Sequence, residues 1–142
     1  MKNEILIKKV YFAGSITGGR RDVEDYVKII DKLKERFNVL SEFVGDKTLT
    51  ELGEINMLDE DIYNRDVGMI EEADFVFAEV SQVSHGVGYE ICYAESHGKP
   101  IFAVANINKT PRVSAMIVGN KNIKFFHYKD LSEVFDLIDS IE

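Results

Sequence analysis

The sequence has little that would fix it from outside. It holds one cysteine, Cys92, so no internal disulfide can form, and a reducing compartment is the expectation. No apolar run approaches bilayer-spanning length, and Ile5-Leu6-Ile7 is too short for a secretory core, so a cytoplasmic protein with no membrane partner is expected. Positive charge is scarce: 17 Lys and Arg against 25 Asp and Glu give a formal net charge of −8. Nucleic-acid binders as a class present a basic face, and no nucleic-acid partner is expected here. That balance still leaves room for one nucleotide, because a few backbone N–H groups can hold a phosphate on an acidic protein. His85, His97 and His127 are scattered, no Cys/His metal spacing occurs, and no Ser-centred nucleophile elbow is present.

What is there suits a packed enzyme-sized domain. The 142 residues are 45% hydrophobic and 30% charged, enough for one domain over 1–142 with a real core. Strand-like and helix-like stretches alternate along it. The strands are Val10–Ala13, Val39–Val44, Phe75–Val80, Ile101–Ala105 and Ile123–Tyr128. The helices are Arg21–Phe37, Met57–Ala73, Val87–His97, a short one at Val113–Val118, and Leu131–Ile141. Such alternation implies right-handed crossovers onto a parallel sheet covered on both faces. Five strands with five helices predict a flavodoxin-like doubly wound α/β domain. Ligands in such folds bind at the carboxyl ends of the strands. That rule selects four loops: Gly14–Arg20, Ser41–Asp46, Ser81–Gly88 and Asn106–Ser114.

The loop Gly14-Ser15-Ile16-Thr17-Gly18-Gly19-Arg20 joins a strand to a helix, where glycines let backbone approach an anion. It lacks the Gly-Lys-Ser/Thr ending of a Walker A loop and the full dinucleotide fingerprint. A tight turn explains it equally well. Glu90 falls in the first turn of the third helix, where the dipole favours a carboxylate. It also lies beside Val87, Ile91 and Ala94, on the apolar side, where a carboxylate is costly unless paired or used. Asp66 interrupts the stripe Leu58, Ile62, Met69, Ile70 and Ala73 of the second helix, with Asp61, Arg65 and Glu72 on the other side. It reads as a structural partner or as a group with a tuned pKa. Two half-buried carboxylates in a phosphate-friendly fold suggest glycosyl chemistry: one attacks an anomeric carbon while the other manages a proton on the leaving group.

The chain resembles the 2′-deoxynucleoside 5′-phosphate N-hydrolases, within the nucleoside 2-deoxyribosyltransferase superfamily. The resemblance rests on Val10-Tyr11-Phe12-Ala13-Gly14-Ser15-Ile16 with Gly18-Gly19-Arg20, on Asp74–Val80, on Ser84-His85-Gly86-Val87-Gly88-Tyr89-Glu90, on Gly98-Lys99-Pro100-Ile101 and on Ser114-Ala115-Met116-Ile117. It implies Glu90 as nucleophile at the deoxyribose anomeric carbon, Asp66 as the group that protonates the departing base, and Tyr11 as the residue that positions Glu90 and the sugar. Ser15, Ser84, Gly86 and Ser114 would hold the 5′-phosphate. Gly14, Ile16, Gly19, Arg20 and Met116 would shape the substrate site around them. Ser114 would reach the neighbouring subunit's site, implying a homodimer. No metal or organic cofactor is implied. Water would open the glycosyl-enzyme, and the expected substrate is a deoxynucleotide, with a purine such as dGMP preferred. A 2′-hydroxyl would have to fit beside Tyr11 and Glu90, where a clash or an unpaired buried hydroxyl costs affinity. Two positions depart from the best-known hydrolases: Thr17 where they carry Arg, and Phe43 where they carry His.

Two other functions fit the same residues. A nucleoside 2-deoxyribosyltransferase would exchange bases on unphosphorylated nucleosides, but such enzymes usually carry Asn or Asp near the position of Ser114. A hydrolase of a ribonucleotide such as CMP is a variant of the first reading. A non-catalytic nucleotide-binding module is the remaining one, since a fold does not fix a function.

Overall fold

A computed structural model describes residues 6–16, 19–20, 22–50 and 53–142. Its strands are β1 (Lys9–Ala13), β2 (Asn38–Val39), β3 (Phe75–Glu79), β4 (Ile101–Asn106) and β5 (Ile123–Tyr128). The helices are α1 (Val23–Lys34), α2 (Asp59–Glu72), α3 (His85–Ser96), α4 (Ala115–Val118) and α5 (Leu131–Asp139). All strand pairs are parallel, in the order β2-β1-β3-β4-β5. This is the flavodoxin-like doubly wound order expected from the alternation.

Alternation along β1 divides the core. Val10 and Phe12 join Tyr26, Ile29, Leu33, Val134 and Ile138 on the face covered by α1 and α5. Tyr11 and Ala13 turn the other way and pack with Ile70, Val87, Ile91 and Ala94 of α2 and α3. Tyr11 is therefore committed by register to the face from which Asp66 and Glu90 approach.

The expected second strand, Val39–Val44, is shorter than its sequence suggests. It pairs only at Asn38–Val39, and Glu42–Gly45 forms a 3₁₀ turn. The reason lies in Ser41. Its buried Oγ accepts from the Phe12 N–H at 2.8 Å and donates to the Phe12 carbonyl at 2.7 Å. A side chain thus takes the place of a ladder residue and satisfies both backbone groups of β1.

Helix limits moved for similar local reasons. Ser84 caps α3 by accepting from the Val87 N–H, so the helix starts at His85 and Glu90 stands in its second turn rather than its first. The first helix starts at Val23, and Arg21 lies outside the described residues. On α2 the anticipated buried stripe is only half real. Ile70 and Ala73 are buried, but Leu58 is 72% exposed, because the start of α2 stands clear of the core. Among the described residues no helix is long and apolar enough to cross a membrane.

Candidate active site

The order reverses between β1 and β3, and that switch point brings the loops after these two strands together. A pocket of about 330 Å³ opens beside them, lined by Tyr63, Asp66, Val67, Gly86, Tyr89 and Glu90. Helix α2 supplies the aspartate and α3 the glutamate. The Tyr63 and Tyr89 hydroxyls lie 3.3 Å apart at its edge, with their rings in an edge-on pair. A Cβ on Gly86 would stand 3.6 Å from Glu90 Oε1 and 3.9 Å from Ser84 Oγ, so its absence keeps that corner of the pocket open.

The electrostatics follow from burial. Loss of water pushes the Glu90 carboxyl up to about 8, and the Asp66 charge adds to this. The Tyr11 hydroxyl donates to Glu90 and opposes the rise, as does the Arg65 charge. Tyr11, 1% exposed, is itself raised well above the ordinary phenol range, first by burial and then by Glu90 and Asp66. Asp66 is also raised by burial, against the pull of Arg65. Two carboxyls with different surroundings therefore share one small cavity.

The first loop sits beside this centre with its own bonding arranged. Ser15 donates its backbone N–H to the Tyr26 hydroxyl at 3.0 Å, while its buried side-chain oxygen has no hydrogen-bond partner among the described residues. Arg20 folds back onto the protein, donating to the Ser15 carbonyl at 3.0 Å and to the Asp46 carbonyl at 2.7 Å. These contacts support the loop. Gly19 has φ +136°, a conformation that favours glycine, and packs against Gln82. Gly14 is packed against the rings of Tyr26 and Phe12. Ile16 is half-buried against the α1 core, and Thr17 lies outside the described residues.

Tyr11, Asp66, Gly86 and Glu90 are thus gathered at one place, with Ser15 in the adjoining loop. Ser114 and Met116 are not among them. They line a separate groove of about 360 Å³ on the other side of α3, together with Ser84, Cys92 and Ile117. Ser114 caps α4 through the Met116 N–H, and Met116 is 82% exposed.

Three partners were not legible in the sequence. Arg65, assigned to the outer side of α2, is half-buried and donates from Nε to Asp66 Oδ1 at 2.9 Å. Its two terminal nitrogens grip the Glu54 carboxylate at 2.8 and 2.7 Å, and its guanidinium lies over the Phe43 ring at 4.0 Å from the centroid. Phe43 was the one signal, as a departure with no partner assigned. The third is Glu79, 1% exposed, which accepts from Ser81 N–H at 2.6 Å, from Ser81 Oγ at 2.9 Å and from the Tyr128 hydroxyl. It ties the start of the third loop to β5. Among the described residues no group of three or more His, Cys, Asp or Glu side chains is arranged to hold a metal ion.

Residues 10–128 match the family profile described as nucleoside 2-deoxyribosyltransferase. A Nematostella vectensis protein with the provisional name 2′-deoxynucleoside 5′-phosphate N-hydrolase 1 is 43% identical over 128 residues, 89% of this chain and 86% of its own. The 5-hydroxymethyl-dUMP N-hydrolase of Tetraodon nigroviridis is 42% identical over 123 residues, 86% of this chain and 87% of its own. In fold, the chain is similar to the Clostridium botulinum CMP N-glycosidase BcmB, with a TM-score of 0.67 and 19% identity over 94% of this chain and all of that one.

One consequence of burying Glu90 can be measured without substrate. A carboxyl raised from 4.5 to about 8 binds more protons folded than unfolded, so its contribution to stability falls as pH rises through that window. Glu90→Gln removes the penalty. The variant is expected to melt like the parent below about pH 4.5 and on the order of 10 °C higher above about pH 8. A difference in Tm that does not change with pH would contradict the buried placement.

Proposed function

The chain belongs to the nucleoside 2-deoxyribosyltransferase family, and we propose that it hydrolyses the N-glycosidic bond of 2′-deoxynucleoside 5′-monophosphates. The observation that carries the reading is the pocket in which Glu90 and Asp66 face the same small space, with the Tyr11 hydroxyl on Glu90. Relatives named as nucleotide N-hydrolases over most of the chain support the same reaction class.

In this mechanism the ionised Glu90 attacks C1′ as positive charge develops there, and Tyr11 stabilises the carboxylate by its hydrogen bond. Asp66 delivers a proton to the departing base. Water then opens the glycosyl–Glu90 ester and releases deoxyribose 5-phosphate. Ser15 supplies a buried hydroxyl with no hydrogen-bond partner among the described residues, suited to a phosphate oxygen. The open corner at Gly86 and the adjacent Ser84 extend that end of the site.

The assembly proposed is a homodimer. Within one chain Ser114 and Met116 stand apart from Glu90, on a groove with Met116 and Val118 exposed. A second copy seated there would bury these apolar side chains and bring its Ser114 toward the phosphate end of the first copy's site. Tyr63, Val67 and Tyr89 line the space left for the base. A purine is the preference expected, with 5-hydroxymethyl-dUMP, named for several relatives, as the pyrimidine competitor.

Chromatography of free base released from dGMP, dAMP, dCMP, dTMP, 5-hydroxymethyl-dUMP, CMP and deoxyguanosine tests the reaction. Release from deoxynucleotides without an acceptor base, and little from deoxyguanosine, is the expected result. Exchange only in the presence of an acceptor would make the protein a transferase, and no turnover at all would leave a binding module. For the subunit role, Ser114→Ala is expected to raise KM for the monophosphate by roughly tenfold, the weight of one charge-assisted hydrogen bond, and to spare any nucleoside activity. Equal effects on both substrates would count against the phosphate contact.

A further inference from the structure

Arg65 sits one residue before Asp66 and takes no part in the mechanism above, yet it is held more firmly than the aspartate. Both terminal nitrogens are forked onto Glu54, the Nη1 group also reaches Met57 Sδ at 3.4 Å, and the flat face rests on Phe43. Arg65 and Glu54 are both largely buried, with side chains 24% and 13% exposed. A guanidinium has five N–H donors, and these contacts engage all but one of them, counting the Nε–H given to Asp66. Arg65 is not free to read a substrate. It can act only through Asp66, by fixing one of that carboxylate's two oxygens and leaving the other to the pocket.

The surrounding charges make this contact consequential. Asp66 faces Arg65 on its own helix, Glu54 from the segment before α2, Glu90 across the pocket from α3, and the Tyr11 hydroxyl from β1. The Tyr63 and Tyr89 hydroxyls complete the rim. Among the described residues Arg65 is thus the one positive side chain in contact with this group of three carboxylates, and it touches two of them, Glu54 and Asp66, but not Glu90.

We propose that Arg65 is a positioning residue of this site: clamped by Glu54 and floored by Phe43, it aims Asp66 and keeps it as the charged member of the carboxylate pair, leaving the pair's proton on Glu90. This deepens the N-hydrolase reading and rests on it for its catalytic consequence. The resting pair then holds all that the first step needs. The proton leaves Glu90 and is taken by the Asp66 oxygen not bound to Arg65, directly or through a water. One transfer creates both the carboxylate nucleophile and the carboxylic acid. The Glu90–C1′ bond forms, the C1′–N bond breaks, and the base departs with the proton from Asp66. When water opens the ester, its oxygen goes to C1′, one of its protons returns to the pair, and the other completes the sugar hydroxyl. No outside acid, base or cofactor is consumed.

The test compares the parent protein with Arg65→Lys, which keeps the charge but loses the fork, and Arg65→Gln, which loses both. Asp66 is titrated by ¹³C NMR in protein labelled at aspartate carboxyls, with Asp66→Asn assigning the signal. Its midpoint is expected to rise by about 1 pH unit or more in the glutamine variant and by less in the lysine variant. On the monophosphate that the parent cleaves fastest, kcat is expected to fall roughly tenfold to a hundredfold with KM within about twofold. Equal midpoints in all three proteins overturn the proposal, and so does an unchanged kcat in variants whose midpoint has moved. If the glutamine variant does not fold, the lysine variant decides by the same two readings. A shifted midpoint in a protein whose parent cleaves no nucleotide overturns the N-hydrolase reading instead, while the hold of Arg65 on Asp66 stands.

Discussion

A carboxylate placed against the apolar face of a sheet must be protonated, paired or used, and the site is arranged around that constraint. Glu90 lines the pocket on the inner side of α3, where burial pushes its carboxyl up to about 8. Asp66 lies in the same pocket, but it alone of the two touches Arg65. The two carboxyls thus meet one electrostatic problem differently: burial raises both, and only Asp66 has a guanidinium in contact that pulls against the rise. That difference is what lets a pair of chemically similar groups take different roles.

The fold supplies the position of each group by ordinary means. Strand alternation sends Tyr11 to the face of α2 and α3 and Phe12 to the opposite one, where the Ser41 hydroxyl seals the Phe12 backbone. The reversal of strand order between β1 and β3 opens the crevice. Glu79, buried at the end of β3, holds Ser81 and Tyr128, and the Ser81 hydroxyl accepts in turn from the Asn106 N–H at 2.8 Å. The loop that leads to Ser84, Gly86 and Glu90 is therefore braced from beneath across three strands. Rigid support of this kind suits a site whose reacting groups must be placed closely.

Much of this could be seen in the chain beforehand, because it rests on local periodicity. The five strands, the five helices and the carboxylate Glu90 on the inner side of α3 all follow from spacing. The errors share a different cause. Val39–Val44 has the composition of a strand, but a side-chain oxygen at Ser41 replaces its ladder. Leu58 fits the helical stripe of α2, yet it is exposed at the helix start. Arg65 looked like solvent charge because neighbours in sequence point apart on a helix. Its long side chain reaches back to Asp66 only because Glu54 and Phe43, distant in sequence, hold it there. Tertiary partners of polar side chains leave no periodic trace.

The central claim is that Glu90 forms a bond to the sugar, and the stereochemistry of turnover tests it most directly. With the best deoxynucleoside 5′-monophosphate cleaved in dilute methanol, proton NMR identifies the anomer of the methyl deoxyriboside 5-phosphate formed. Two displacements at C1′, first by Glu90 and then by methanol, retain the β configuration of the substrate, and the β-methyl product is expected. An α-methyl product would mean a single direct displacement, and Glu90 could not be the nucleophile.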